Sequence, residues 1–479
     1  MHNTADYFNE LPLKHISNYG EINRTMGKGA YGEVFETIDK DNNKYAIKKM
    51  NYKDADIDDD IINEVSNLTL LNHPSIVKIV DVDIGENNFS MVMESANMDL
   101  DDYIIANNLS KIEIKKIFYQ IVKGVEYIHS SGVLHRDLKT SNILVFIDGT
   151  KVSVKIADFG LSKLSNPANT YSTDVFTPLW RPPDIFLGAR KYGPEADIWS
   201  MGLILAVMAM EKSILDQDIS DLNEILPDIV KKIGGMTEKQ WPGITGMKNF
   251  ELIRKINENY TEGSLFTDKT NIKTLNEKIG SDGIDLLKKM LTSNPSERIN
   301  IGNIINHPYF NDVKDGFKYN NISDVSCGEN RILKDLPALK NVYEGKIDNT
   351  HVEKIMQWIV EVSLQFRSLP DTLFRTRTIF DHYIKATPGK IPKNRLQLLI
   401  SSAMAIASNI DEVYPPLLDD YVFLAGGSFR IDEIINTKKE MLKILRFQLL
   451  YPNISEFIYH YSDDIYLKNK REATLLGKT

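Results

Sequence analysis

The sequence predicts an α+β chain in three parts: a β-rich stretch, a long helical stretch, and a separate all-helical unit reached through a connector. Three observations predict it. From about Tyr19 to Met93, short alternating or apolar runs such as Tyr45–Lys48 and Phe89–Met93 are separated by turn residues such as Asp39–Asn43. From Asp99 to Phe310 helical periodicity dominates, as in Ile112–His129 and Ala196–Met210. Beyond residue 350, Val352, Ile355, Met356, Ile359 and Val360 fall at i, i+3, i+4, i+7 and i+8, which is one buried face of a helix.

Within the β-rich part, Ile61–Leu71 is the one helical segment. Residues 311–350 are rich in Asn, Asp, Gly and Lys and carry no sustained apolar period, so they read as a linker. Leu396–Ser408 is a helix whose small residues permit close packing, and Ile434–Phe447 is a further helix. The expected divisions are 19–310, a linker at 311–350, a helical unit at 351–455 and a tail at 456–479. A chain of 479 residues has room for two to four domains at roughly 100–200 residues each.

Composition narrows the class. With 26% charged and 42% hydrophobic residues the chain has the balance of a soluble globular protein. Its single cysteine, Cys327, excludes an internal disulfide and a thiolate metal cage and suits a reducing compartment. Gly202–Met210, the longest uncharged apolar stretch, is about half of a membrane span. No secretory signal is read in Met1–Glu10. A net charge of −9 without a basic stripe disfavours nucleic acid as a partner.

The chemistry lies in a set of spaced motifs. Gly27-Lys28-Gly29-Ala30-Tyr31-Gly32-Glu33-Val34 is a G-x-G-x-x-G-x-V run between strand-like segments, where glycines let a hairpin backbone approach phosphate oxygens. Lys48, sixteen positions after Gly32, supplies an ammonium for phosphates, and Glu64 on the nearby helix supplies its carboxylate partner. His135-Arg136-Asp137-Leu138-Lys139-Thr140-Ser141-Asn142 is followed by Asp158-Phe159-Gly160. Phosphoryl transfer requires a carboxylate to position the acceptor hydroxyl and take its proton, here Asp137. It also requires oxygen ligands for Mg²⁺, here Asn142 and Asp158, while Lys139 can steady the transferring group.

Residues 19–310 resemble the eukaryotic protein kinase family on these motifs, which implies a two-lobed fold with a β-rich N-lobe and a helical C-lobe, and use of ATP with Mg²⁺. Lys139 in the catalytic loop resembles the serine/threonine branch. Thr177–Asp184, Trp241–Ile244 and Asn72–Val77 are similar to the cyclin-dependent kinase group, with Asp184 replacing a glutamate that would pair with Arg298. In that group Arg181 shapes a pocket for proline after the phosphorylated residue. The resemblance further places Gly27, Lys28, Gly29, Ala30, Tyr31, Gly32, Val34, Ala46, Lys48, Met93, Glu94, Ala96 and Asp99 around the nucleotide, with Met93 at its back and Glu94–Ala96 as the hinge. It marks Ser172 and Thr173 as activating phosphorylation positions and Tyr31 as an inhibitory one. Of the three basic residues that would receive the activating phosphate, Arg136 and Lys163 have counterparts and the third position is Asn63.

The last unit resembles a cyclin box. His351–Val362 is similar to its opening helix, and Lys393–Leu398, Ala407–Pro416 and Met441–Phe447 follow in order and spacing, Glu412-x-Tyr414-Pro415-Pro416 being the most specific. The resemblance implies a cyclin-dependent kinase fused to its own cyclin, with the box docking on the helix that carries Glu64. Where a free cyclin uses a lysine and a glutamate in that contact, this chain has Asn409 and Lys438. The acidic helix start, Asp58-Asp59-Asp60, either faces Lys438 and Lys439 as a complementary exchange or serves only to stabilise the helix N-terminus. A tether of about 40 residues spans roughly 30–40 Å as a coil and gives an effective concentration approaching the millimolar range. The expectation is an intracellular kinase acting on Ser/Thr-Pro sites, in cytoplasm or nucleus, activated in cis. The alternatives are a catalytically weak scaffold whose box recruits a separate kinase, and an active kinase whose box serves a partner in trans.

Overall fold

The structure, a computed structural model, describes residues 11–29, 32–51, 56–85, 88–166, 169–219, 221–257, 259–260, 262–314, 349–387 and 391–451. Ala30, Tyr31, most of the expected linker and the tail at 456–479 lie outside them. The chain forms two compact units: Met1–Asn72, Lys78–Ser95 and Val325–Thr479 make the first, and His73–Val77 with Ala96–Asp324 the second.

The first unit opens with an antiparallel sheet of β1 (Glu21–Gly29), β2 (Gly32–Ile38), β3 (Lys44–Asn51), β4 (Ile79–Ile84) and β5 (Asn88–Glu94), in the order β1-β2-β3-β5-β4. Both faces of the sheet are covered: β5 is buried without alternation from Phe89 to Met93, and on one face Ile47 and Val92 pack with Tyr19, while Phe89 and Met91 point to the other. Helix α1 (Asp59–Leu70) lies between β3 and β4 in sequence and starts on Asp59 and Asp60, which suit the positive end of its dipole. Every residue from Ile61 to Leu70 is buried, including Asn63, Glu64, Ser66, Asn67 and Thr69. A helix without a solvent face needs cover on more than one side, and here β4 supplies only part of it.

The second unit is built on helices. In it, α2 (Lys111–Ser130) starts on a capping box in which Ser110 and Glu113 satisfy each other's backbone N–H groups. Helix α3 (Pro194–Met210) opens with Pro at its first position, is apolar on all sides and is buried from Ala196 to Ala209. A hairpin of Ile143–Asp148 and Lys151–Ile156, which helical periodicity alone did not predict, carries the chain from the catalytic loop towards Asp158. Buried Arg298 donates from Nη2 to Asp184 Oδ1 at 3.1 Å and to the carbonyls of Thr292, Glu195 and Ser293, so the shorter carboxylate at 184 does reach its partner.

Among the described residues, the remainder of the first unit carries the helices α4 (Asn349–Phe366), α5 (Pro370–Ala386), α6 (Leu396–Asp411), α7 (Leu418–Leu424) and α8 (Ile431–Ile444). Helix α6 is the centre, buried at Leu398–Ser408 and packed on α5 and α8. Buried Arg375 on α5 pairs with Asp411 at 2.8 Å, and Glu412 accepts from Leu369 N at 2.8 Å and Thr372 Oγ1 at 2.5 Å, tying the α4–α5 turn to the end of α6. Helix α8 ends at Ile444, three residues before the expected end. Arg446 and Phe447 take positive φ of 50° and 57°, which turns the buried Phe447 ring away from the helix line.

Helix α1 packs on α6, whose Ser401, Ser402 and Ala405 are buried and small enough for close approach. Phe447 packs edge-on against Phe89 at 5.9 Å, and its carbonyl accepts from Thr69 Oγ1 at 3.3 Å. Lys438 Nζ donates to Asp56 Oδ2 at 2.7 Å. That partner lies just ahead of the acidic helix start expected from the sequence.

Two outcomes test the packing of the second unit. Asp184→Asn leaves the Arg298 charge with carbonyl partners only, and denaturant unfolding should show a loss of about 3 kcal/mol, the lower end of the cost of breaking a buried pair. Buried His73 stacks on Tyr127 at 5.1 Å, and burial, helped by Lys123, pushes its pKa down to about 4. Folded His73 therefore resists protonation, so stability is complete above the unfolded value of about 6.5 and falls as pH drops towards 4. His73→Asn should flatten that slope by up to about 1.4 kcal/mol per pH unit, measured by melts across pH 4–7.

Candidate active site

In the first unit the glycine run forms the β1–β2 hairpin, with Gly29 opposite Gly32 and Gly27 opposite Val34. Gly32 takes φ +141°, and a Cβ there would lie 2.1 Å from the Lys49 carbonyl oxygen, so only glycine fits. A Cβ at Gly27 would meet nothing within 4 Å, which leaves an open approach to the hairpin backbone. Lys48 on β3 donates from Nζ to Glu64 Oε2 on α1 at 2.7 Å, with Glu64 almost fully buried. Ala46 and Met93 face each other across the β3–β5 ladder and both are buried. Glu94 N donates to Lys78 O at 3.3 Å, and its carboxylate accepts from Lys78 N at 2.7 Å.

In the second unit Asp137 is the hub. Its Oδ2 accepts from Lys139 Nζ at 2.7 Å and Asn142 Nδ2 at 3.1 Å; its Oδ1 accepts from Thr177 N at 2.9 Å and Thr177 Oγ1 at 2.7 Å. Lys139 also donates to Thr177 Oγ1 at 2.8 Å. Asn142 Nδ2 donates again to Asp137 O at 2.8 Å, which fixes the end of the amide that is oxygen. Ala157 N donates to Asn142 O at 2.9 Å, bringing Asp158 beside the loop, and Asp158 takes φ +63°. Arg136 takes φ +64°. Such backbone conformations in non-glycine residues cluster at functional sites. Asn142 and Asp158 offer the hard oxygen donors that suit Mg²⁺, and the open Gly27 backbone suits a phosphate chain, so these residues fit the nucleotide and metal expected of them.

Two residues were missed by motif reading. In sequence Thr177 is only the first residue of the Thr177–Asp184 segment, yet it holds one oxygen of Asp137 and touches Lys139. Asp197 sits in the first turn of the apolar α3, accepts from His135 N and Arg136 N at 2.9 Å each, and meets His129 Nε2 at 2.8 Å. Burial would push Asp197 up, but the hydrogen bond and charge of His129, with His135, hold it below the ordinary carboxylate value. Its signal in sequence is a carboxylate that, with Glu195, opens a helix otherwise almost wholly apolar. Burial pushes His135 below its ordinary value against the pull of Asp197 and Asp137. A neutral ring accepting from Asp137 N at 3.3 Å and donating to Ala157 O at 3.1 Å follows.

Asp99 caps the short helix Leu100–Ala106, accepting from Asp102 N at 2.9 Å, and burial raises its pKa, with Asp102 and Asp101 adding to the effect. Ala96 is buried beside it in the chain. Ser172 Oγ accepts from Asp174 N at 3.0 Å and the Ser172 carbonyl accepts from Tyr192 OH at 2.8 Å; Tyr192 is also bonded by Arg136 Nη1 at 3.3 Å. Thr173 is half-buried, and Asn63 lies on α1.

Comparison with known proteins agrees with this geometry. Residues 20–310 match the family described as "Protein kinase domain", and residues 327–450 match "Cyclin, N-terminal domain". The chain is 32% identical over 313 residues to "Cell division control protein 2 homolog 2" of Trypanosoma brucei brucei, covering 64% of this chain and 86% of that protein. It is 34% identical over 316 residues to "Cyclin-dependent kinase B2-1" of Oryza sativa subsp. japonica, covering 63% of this chain and 92% of the relative. The kinase domain implies use of ATP, typically with Mg²⁺. No helix among the described residues is long and apolar enough to cross a membrane. A hairpin with an obligatory glycine, a buried Lys–Glu pair and a carboxylate hub thus coincide with the family match: the chain belongs to the protein kinase family, as a serine/threonine kinase of the cyclin-dependent type joined in one chain to a cyclin box.

Proposed function

We propose that this chain is a proline-directed serine/threonine kinase, working inside the cell, whose own cyclin box activates it in cis. The observation that carries the reading is α1: it packs on α6 of the box while its Glu64 holds Lys48 at 2.7 Å. That ion pair is a condition for kinase catalysis, and a cyclin box held on the same helix favours it at the effective concentration of a tethered partner. The domain divisions at 19–310 and 351–455, with a linker between them, follow from this reading.

In the reaction, Asp137 orients the Ser/Thr hydroxyl of the substrate and takes its proton at a carboxylate oxygen. The bonds from Thr177, Lys139 and Asn142 hold that carboxylate in place before substrate arrives. Lys139 steadies the transferring phosphoryl group. Lys48, Gly27 and Gly32 are the positions expected at the phosphates, and the resemblance assigns Val34, Ala46, Met93, Glu94, Ala96 and Asp99 to the nucleotide's base and sugar. Asn142 and Asp158 would hold Mg²⁺, which when bound screens the phosphate charge. Lys28, Gly29, Ala30 and Tyr31 are the further nucleotide positions the resemblance assigns, Ala30 and Tyr31 outside the described residues, and Ser172, Thr173 and Tyr31 remain the regulatory positions.

Proline direction is supported by Phe176 and Arg181. Phe176 takes φ +66°, and its carbonyl accepts from Arg181 Nη2 at 3.3 Å while that of Val175 accepts from Arg181 Nε at 2.9 Å. Carbonyls engaged by a guanidinium are poor acceptors for a substrate N–H. Proline has no N–H to satisfy, so it is favoured after the acceptor residue.

Three measurements test the reading. A Ser-Pro peptide should be phosphorylated at least about ten-fold faster than its Ser-Ala counterpart, a difference of about one unpaired N–H; equal rates refute proline direction. Asp137→Asn should lower kcat by about 10² or more with the melting midpoint kept. Phe447→Ala removes a buried ring from the α1 side of the box and costs about 3 kcal/mol of packing. Its activity should drop with it, and unchanged kcat/KM would defeat cis activation.

A further inference from the structure

The contact between α1 and the box carries a charge arrangement of its own. Lys438 lies on α8, and only 1% of its surface is exposed. Its ammonium is held by Asp56 Oδ2 at 2.7 Å, across 382 positions of sequence, and the Asp56 side chain is 26% exposed. An ammonium at that depth is tolerated only beside a carboxylate, because removing either partner strands a charge away from water. Asp56 precedes the buried turns of α1 by a few residues, and Lys438 precedes by about two helical turns Phe447, whose carbonyl and ring meet Thr69 and Phe89. Phe447 and the small residues of α6 provide apolar packing that any box of similar shape could supply. The Asp56–Lys438 pair is different, since it distinguishes sign.

We propose that Asp56 and Lys438 form a specificity lock: the kinase half accepts a cyclin box that presents a cation at the position of Lys438 and rejects one that presents an anion there. The partner this surface selects is therefore the chain's own box, or the box of a second copy of the chain. A free cyclin with a carboxylate at that position places like charges together in a desolvated contact, which repulsion and desolvation both penalise. The effect on packing stands without the cis-activation reading; the effect on activity rests on it.

The test uses full-length protein in three forms, Asp56→Lys, Lys438→Glu and the two combined. Hydrogen exchange of the α1 amides reports the contact, and phosphotransfer to a Ser-Pro peptide reports its consequence. Each single substitution should speed α1 exchange by at least about ten-fold, because a like-charge pair replaces a buried ion pair. The combined form, with the charges exchanged, should return to within about three-fold of the parent. A combined form exchanging as fast as the faster single variant, or single variants exchanging like the parent, overturns the lock.

A second arm reads selectivity. The Asp56→Lys chain is mixed with an inactive full-length donor of boxes carrying Asp137→Asn, either with Lys438 intact or with Lys438→Glu. The Lys438→Glu donor should slow α1 exchange of the recipient and raise its phosphotransfer, and the intact donor should do neither. Equal protection by both donors overturns the selectivity. Protection by the swapped donor without a gain in phosphotransfer upholds the lock and refutes cis activation instead.

Discussion

Glu64 imposes the constraint on which the first unit depends. It is a carboxylate on a helix whose residues from Ile61 to Leu70 are all buried, and Lys48 is its ion-pair partner. A polar, buried helix is stable only if something covers it and every polar group finds a partner. Asn67 Nδ2 donates to Asn63 O and Thr69 Oγ1 to Ser66 O, so the helix satisfies part of this demand itself. Helix α6, Phe447 and the Lys438–Asp56 pair meet much of the rest. The sheet, the helix and the box in this way form one packed body rather than a lobe with an appendage.

The second unit solves an equivalent problem with Asp197. A single buried carboxylate gathers the N–H groups of His135 and Arg136 and the ring of His129, and so anchors the catalytic loop to the most apolar helix of the unit. That anchoring lets Arg136 hold φ +64° and lets Asp137 present its carboxylate to four donors. Preorganisation of this kind is what phosphoryl transfer asks of a protein, since the chemistry needs positioned charge more than covalent assistance.

Much of this was legible in residue order. The glycine run, Lys48, Asp137, Lys139, Asn142 and Asp158 stand at spacings that local chemistry demands, and the helices expected at Ile61–Leu71, Ile112–His129 and Leu396–Ser408 are found at Asp59–Leu70, Lys111–Ser130 and Leu396–Asp411. Less legible were features that depend on a distant partner. Thr177 lies 40 positions from Asp137, and Asp197 lies 61 from Arg136. Neither stands in a local pattern that marks the contact. The end of α8 at Ile444 was likewise hidden, because its apolar period continues to Phe447 while a left-handed turn redirects the ring into a tertiary slot.

The sequence by itself determined the fold class and the order of the motifs, because periodicity and motif spacing are properties of neighbouring residues. It also determined that the contact between the two halves would depart from the usual charges, through Asn409 and Lys438. Only the tertiary structure decided which carboxylate answers Lys438. Asp56, outside the helix, holds that ammonium at 2.7 Å, while the expected acidic run begins two residues later. The reason is that a buried ammonium takes the carboxylate its desolvated geometry can reach, and reach is a property of folded distance rather than of order along the chain.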